Sequence, residues 1–486
     1  MKQITRLNLI LILALGLRLI SLNQSLWLDE AFQVWSVTHY SPKGLLTEYL
    51  TGDFNPPLSY LISWLLTRIL GDKEVILRLP SVFLGVVNVW LIYIFSQTLF
   101  SKAKIEVAQK QFSLGEIAAF FLALAPLHLY YSQESRPYIL ASVLATWSML
   151  EFWRLLKEEK GAVWRYVLAT ALMIYSHYLT WLLLLLQAVF LIAVNGKKIK
   201  ILQKVMISWL AVFVCFLPWL PIFLKQLRIG SEVAKTLPVW RTLGEISLKN
   251  IALVPVKFII GRIAIENNLL YGFVMMPLIL LIAGILLIVF KRTLVSKSTA
   301  FYYLWLWFVG PLLLGLALSL KWPMFQYFRF LFILPAFYLL ITLGISNLKL
   351  SWQGPVVLGI FLINAIASSI YLFNPAFHRE DWRSTSTYIQ LKDMGAVVVI
   401  LKPIEAPFAY YNQNQSRTLD YSEINQARFE KRLWLIKYAQ PIFEPANNTE
   451  ETIKQYGFQE VSEKQFRGDI SIKYFINPSG LTAFKK

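Results

Sequence analysis

Apolar residues in this chain run together in blocks instead of alternating, and the blocks recur at close to the length that crosses a bilayer, roughly 17 to 25 residues. The pattern predicts about 11 membrane spans, near 5–22, 80–99, 114–127, 138–153, 163–176, 178–194, 205–224, 269–290, 300–320, 328–346 and 353–372. The first block leaves through Asn23-Gln24-Ser25-Leu26-Trp27, which offers no small-residue cleavage site, so it reads as a retained span and not a signal peptide. Beyond residue 372 charge rises and the apolar runs shorten. The order becomes helix (381–393), strand (396–401), helix (405–412), strand (433–436), helix (449–456) and strand (470–476). Helices alternating with short buried strands predict a small α/β layer domain. The expected organisation is a polytopic α-helical membrane domain over 1–372, with long loops 23–79 and 225–268, followed by a C-terminal α/β domain over 373–486.

Composition sharpens this picture. The hydrophobic set makes up 57% of the 486 residues and charged residues only 15%, against roughly 25% charged in soluble domains, which argues against a water-soluble enzyme. Lysine and arginine (47) exceed aspartate and glutamate (28), for a net charge of +19. In so apolar a chain that excess points to cations held on the cytoplasmic side of a membrane and not to nucleic acid. Lys2 and Arg6, Lys102/Lys104/Lys110, Arg154/Lys157/Lys160/Arg165, Lys197/Lys198/Lys200/Lys204 and Lys291/Arg292/Lys297 fall on alternate sides of consecutive spans. With that side cytoplasmic and an odd number of spans, the C-terminal domain and both long loops are expected outside; losing one of the short spans, 114–127 or 163–176, would invert everything downstream. Loop 225–268 carries Lys225, Arg228, Lys235, Arg241, Lys249, Lys257 and Arg262 against Glu232, Glu245 and Glu266. It reads equally as a headgroup contact or as a guide for an anionic lipid substrate. The single cysteine, Cys215, excludes an intramolecular disulfide and a cysteine zinc cluster.

Candidate chemistry gathers at the outer ends of spans. Asp29 and Glu30 follow the first span, where Ala31, Val34, Trp35 and Thr38 begin a helical pattern. Neighbours on a helix point about 100° apart, so only one of the two acids can address a given reacting atom; Asp29 also reads simply as the helix N-cap, with Glu30 favouring the dipole. Asp53-Phe54-Asn55-Pro56-Pro57 predicts a rigid corner before a helix. Ser132-Gln133-Glu134-Ser135-Arg136-Pro137-Tyr138 places an acid and a guanidinium in a short loop between apolar spans, which marks a site unless the two simply pair or Arg136 binds headgroups. Tyr175-Ser176-His177-Tyr178 is a third polar break, its histidine either structural or functional. Polar groups at one membrane face suit an enzyme with a lipid-borne substrate. A lipid flippase or other transporter, the alternative, places them along a path and often shows an internal repeat, which is absent here.

In these residues the chain resembles the GT-C superfamily of polytopic glycosyltransferases, in particular the bacterial branch of protein O-mannosyltransferases and lipid A aminoarabinose transferases (family 39-like). The resemblance follows Asp29-Glu30, Asn55-Pro56-Pro57, Arg78-Leu79-Pro80-Ser81, the 132–138 motif, Ser176-His177-Tyr178, Arg329 leading into Leu334-Pro335, and Glu380-Asp381-Trp382-Arg383. Asn55 stands where relatives often carry histidine. The resemblance implies a GT-C fold in a bacterial plasma (inner) membrane with an extracytoplasmic C-terminal domain, a polyprenyl-phosphate-linked sugar as donor, and a protein, lipid or polysaccharide as acceptor. In an inverting displacement Asp29 would act as base with Glu30 in support. Arg136 and Arg329, with Tyr138, would hold the donor phosphate. Glu134 and His177 are supporting groups or ligands for a divalent metal ion. Asn55, Pro56, Asp381 and Arg383 would position the acceptor or the loops.

Overall fold

The computed structural model describes residues 2–196, 198–236 and 246–478, and these fall into two compact units. The first comprises 1–22, 41–69 and 76–377; the second comprises 23–40, 70–75 and 378–486.

The first unit is helical. Among the described residues seven helices are long and apolar enough to cross a membrane: Glu74–Phe100, Pro137–Leu156, Ile199–Phe216, Asn268–Ser296, Thr299–Ser319, Tyr327–Ser346 and Leu350–Phe373. The pair Leu114–Leu124 and Pro126–Ser132, bent by 62°, meets the same test when taken together and forms either a broken span or a re-entrant loop. The remaining blocks form shorter apolar helices, Ala162–Ile174 and Tyr178–Val194, and a first helix, Lys2–Leu19, that carries Arg6 and Arg18. The segment after the Pro-Pro corner is also a helix, Leu58–Leu70, of 13 residues. The pattern is that of a multi-pass membrane protein.

Burial separates centre from rim: nearly all of Pro137–Leu156 and Tyr327–Ser346 is buried, whereas most of Asn268–Ser296 is not. A rim helix exposing Leu269, Phe273 and Leu280 suits lipid, because hydrocarbon solvates those side chains. Against the central helices lies a buried polar network. Arg18 donates from Nη2 to His128 Nδ1 (2.7 Å), from Nε to Ser132 Oγ (3.1 Å) and from Nη1 to the Ala14 carbonyl (2.8 Å). A two-stranded hairpin, β1 (Lys104–Val107) and β2 (Lys110–Ser113), joins two of the helices.

The second unit is an α/β layer. Its sheet has the order β4-β3-β5-β7-β6, with β3 (Val397–Val399), β4 (Thr418–Leu419), β5 (Arg432–Tyr438), β6 (Gln459–Phe466) and β7 (Ile470–Ile476). β3 runs parallel to β4 and β5, while β7 is antiparallel to β5 and β6. Successive strand residues face opposite ways, so Val398, Trp434 and Ile472 join one apolar layer with Trp382 and Phe408, and Val397, Val399, Leu433 and Leu435 join the other with Ile453.

The contact division differs from a simple cut at residue 373, because 23–40 and 70–75 group with the C-terminal unit. Leu28 packs on its apolar layer, the Leu26 amide donates to Tyr411 Oη at 2.8 Å, and Arg383 donates to the Asn23 carbonyl at 2.9 Å. Loop 225–268 contains the end of the helix Leu220–Thr236 and the helix Leu248–Ile260; Arg241 and Glu245 lie outside the described residues.

Candidate active site

The candidate residues fall into two groups, one in each unit. In the C-terminal unit the helix Leu28–His39 starts behind Trp27, whose extended backbone supplies no side-chain cap. Asp29 is therefore a half-buried first-turn residue and not the N-cap, and with Glu30 it complements the helix dipole. The open amide of Leu28 is taken from far along the chain, by Glu380 Oε2 at 3.2 Å. Trp382 Nε1 (3.0 Å) and Tyr438 Oη (2.7 Å) donate to the same carboxylate. Burial first, and then the charge of Asp29, push the Glu380 carboxyl above its ordinary range. Glu30 is fully buried and forms an ion pair with buried Arg379, Nε to Oε2 at 3.5 Å. Asp381 N-caps the helix Trp382–Asp393 by accepting from the Ser384 amide at 3.1 Å. Arg383 bonds Glu74 Oε1 at 2.6 Å. Asp29 thus lies in the first turn of a helix whose start is fixed by Glu380, while Glu30, Asp381 and Arg383 each hold partners within the same unit.

In the membrane unit two prolines shape the 132–138 motif. A residue before proline is driven out of the helical region, so Ala125 is extended before Pro126 and Arg136 before Pro137, and each proline opens a new helix. The polar turn between them is anchored by Gln133 Nε2, which donates to the carbonyls of Arg18 (3.0 Å) and Ile20 (2.6 Å), and by Ser81 Oγ, which donates to the Glu134 carbonyl at 2.5 Å. Glu134 is fully buried and Arg136 nearly so.

Arg136 Nη1 donates to Tyr60 Oη at 3.4 Å, and Tyr60 donates in turn to Asp53 Oδ2 at 2.5 Å. Asn55 donates to Asp53 Oδ1 through its amide N–H (2.9 Å) and through Nδ2 (2.8 Å). Pro56 and Pro57 are buried, and the Leu58 amide reaches the Tyr175 carbonyl at 3.1 Å, which joins the Pro-Pro corner to the third polar break. There His177 Nδ1 accepts from the Leu179 amide at 3.3 Å. Loss of solvent, followed by the charges of Arg329 and Arg136, holds the His177 imidazole down to about 3, so it is neutral. Arg329 donates to the Met324 carbonyl at 3.4 Å. Tyr138, two residues after Arg136, packs against His177 (5.9 Å between rings) and against Phe328 (5.4 Å), the residue before Arg329, so the segments that carry these three groups gather around one ring.

Three participants escape a sequence reading. Arg262, one cation among many in its loop, donates to Tyr130 Oη at 2.8 Å, lies over that ring at 4.8 Å, and feels the charge of Glu134. Asp53 and Tyr60 look like parts of a loop corner and an apolar helix. Among the described residues no three His, Cys, Asp or Glu side chains gather as metal ligands, so Glu134 and His177 belong to no such cluster.

Comparison with known proteins follows the same lines. Residues 55–223 match the family model described as dolichyl-phosphate-mannose-protein mannosyltransferase. That stretch holds Asn55, Glu134, Arg136, Tyr138 and His177 but not Asp29 or Arg329. No curated protein sequence matches the chain. ArnT from Cupriavidus metallidurans in the apo state superposes with a TM-score of 0.60 at 10% identity, covering 96% of this chain and 97% of the other. The same protein bound to undecaprenyl phosphate gives 0.55 at 11% identity, covering 97% of both chains. The Archaeoglobus fulgidus oligosaccharyltransferase in complex with zinc and sulfate gives 0.56 at 12% identity, covering 97% of this chain and 73% of that one. The chain has the GT-C fold and resembles the ArnT and protein mannosyltransferase branch of GT-C glycosyltransferases.

Proposed function

We propose that the protein is an inverting glycosyltransferase that moves a sugar from a polyprenyl-phosphate donor to an acceptor hydroxyl at the outer face of the membrane. The observation that carries this function is the gathering of the segments that bear Arg136, His177 and Arg329 around the Tyr138 ring, which lies 5.9 Å from the His177 ring and 5.4 Å from that of Phe328. Two guanidiniums from distant parts of the chain, borne on those segments, supply the positive charge that an anionic phosphate needs. The ArnT structure bound to undecaprenyl phosphate supports a lipid-linked donor.

In the proposed step, the acceptor oxygen attacks the anomeric carbon and gives its proton to the Asp29 carboxylate. The bond from that carbon to the phosphate oxygen breaks, and the electron pair leaves on the phosphate. A phosphate departs without protonation, so one base suffices where glycosidases use two carboxyl groups. Arg136 and Arg329 offset the charge that develops on the leaving oxygen. The acceptor is a protein, a lipid or a polysaccharide.

Asp29→Asn tests the assignment. Asparagine preserves size and hydrogen bonding at the first turn but accepts no proton. Loss of a general base costs about 10² to 10⁴ in rate, roughly 3 to 5 kcal/mol. Purified variants are assayed with a radiolabelled polyprenyl-phosphate sugar and an acceptor extract. Turnover by Asp29→Asn at the wild-type rate would remove Asp29 as base. Glu30→Gln is the control: its pair with Arg379 makes lowered thermal stability its expected main effect.

A further inference from the structure

We infer that Asp53 and Tyr60 are positioning residues for Arg136, and that the 50–57 loop serves as the frame that aims this guanidinium at the donor phosphate; the inference rests on the function proposed above. Its basis is a continuous run of hydrogen bonds within the membrane unit. Trp219 Nε1 donates to Tyr178 Oη at 2.9 Å, and Tyr178 donates to Gln226 Oε1. Gln226, buried, donates from Nε2 to the carbonyls of Leu50 (2.6 Å) and Asn55 (3.3 Å). Asn55 donates to Asp53 Oδ1, Tyr60 donates to Asp53 Oδ2, and Arg136 donates to Tyr60 Oη.

Each member has the chemistry its place demands. Asp53 Oδ1 also accepts the Phe54 amide at 2.5 Å, so one carboxylate oxygen fixes the loop while the other holds Tyr60. The Tyr60 hydroxyl spends its one proton on Asp53, which leaves its lone pairs turned to the guanidinium. A phenol bound to a carboxylate is a stronger acceptor than a free phenol, since chained hydrogen bonds polarise one another. It orients Arg136 while carrying no charge of its own, so the cation's charge stays available to the phosphate. The chain also gives Asn55 a role: Nδ2 meets the Asp53 carboxylate as a donor, which no charged acid there could do.

The test is a double-mutant cycle on the full-length protein in detergent, reading the Kd of a radiolabelled polyprenyl phosphate and the donor KM and kcat. Tyr60→Phe and Asp53→Asn keep side-chain size, and a thermal unfolding scan identifies any variant that fails to fold. Tyr60→Phe is expected to weaken binding about tenfold in the wild-type background, in the range of one hydrogen bond to a charged group, and to have no further effect in Arg136→Ala. Asp53→Glu is expected to recover part of what Asp53→Asn loses. Effects of Tyr60→Phe and Arg136→Ala that simply add would overturn the inference while leaving the phosphate site intact, because independent sites are additive. Tyr60→Phe binding as tightly as wild type would do the same. A wild-type protein that binds no polyprenyl phosphate would remove the proposed function and this inference together.

Discussion

Arg136 and Glu450 are both charged groups whose surroundings decide what they do. Arg136 sits at a proline-forced helix start, against the Tyr60 hydroxyl. Its planar fork suits two phosphate oxygens, whereas lysine supplies charge without that geometry. Arg136→Lys is expected to retain part of the transfer activity and Arg136→Ala to lose about 10- to 100-fold, checked by initial rates at fixed donor; equal rates for wild type and Arg136→Ala would take it out of the phosphate site. Glu450 instead ties its helix to the C-terminal sheet through Lys437 (2.8 Å) and Lys473 (2.9 Å), with Lys454 (2.7 Å) one turn further along the same helix. Burial pulls its carboxyl upward, but the three ammonium groups outweigh burial and hold it well below the usual carboxylate range. A carboxyl with a lowered folded-state pKa stabilises the protein above its unfolded value, about 4.3, and loses that contribution as pH falls through the folded value. Glu450→Gln is expected to cost roughly 3 kcal/mol near neutral pH, since it leaves three cations facing one another. The difference from wild type should shrink below about pH 4 in urea titrations of full-length protein.

At the scale of elements, the prolines at 126 and 137 write the polar turn into the sequence, and glycine decides how closely helices approach it. Gly85 lies on the helix Glu74–Phe100, where an added Cβ would collide with Ser132 Oγ and stand 2.7 Å from Arg18 Nε. Gly85→Ala should therefore push the Arg18–Ser132 contact apart, at about 1 to 3 kcal/mol. A lowered thermal midpoint in detergent with a parallel loss of donor binding is the expected result, and an unchanged midpoint would show that Arg18 can yield. The sequence reading finds β7 but not β6, and the cause is visible in Gln459–Phe466. An edge strand facing water carries Glu460, Glu463 and Lys464 where a central strand would be apolar. The strand Val397–Val399 is buried on both faces, so it announces itself as an apolar run.

For the whole molecule, the alternation of cationic loops along the spans predicts an N-terminus in the cytoplasm and a C-terminal unit outside. Alkaline phosphatase fused to the C-terminus is expected to be active, and a fluorescent protein fused there dark; the opposite pair would reverse the orientation. The span number behind this expectation is about 11, while seven helices, or eight with the bent pair, meet length and apolarity together among the described residues. The shortfall lies in identifiable places: Lys2, Arg6 and Arg18 in the first helix, and the shortness of Ala162–Ile174 and Tyr178–Val194 around His177.

The sequence by itself determined the membrane helices, the α/β character of the C-terminal region and the polar breaks that carry Asp29, Arg136 and His177. Those properties are local: apolar length, strand-sized runs and proline act within a few residues of themselves. Only the tertiary structure decided which acid or cation has which neighbour. Glu380 caps a helix some 350 residues upstream, Arg379 pairs with Glu30, and the Tyr138 ring brings His177 and Phe328 together. Asp53 becomes a site residue only because the fold carries Tyr60 to Arg136. Hydrogen bonds and ion pairs depend on separations of a few ångströms between chain segments that no local pattern brings together.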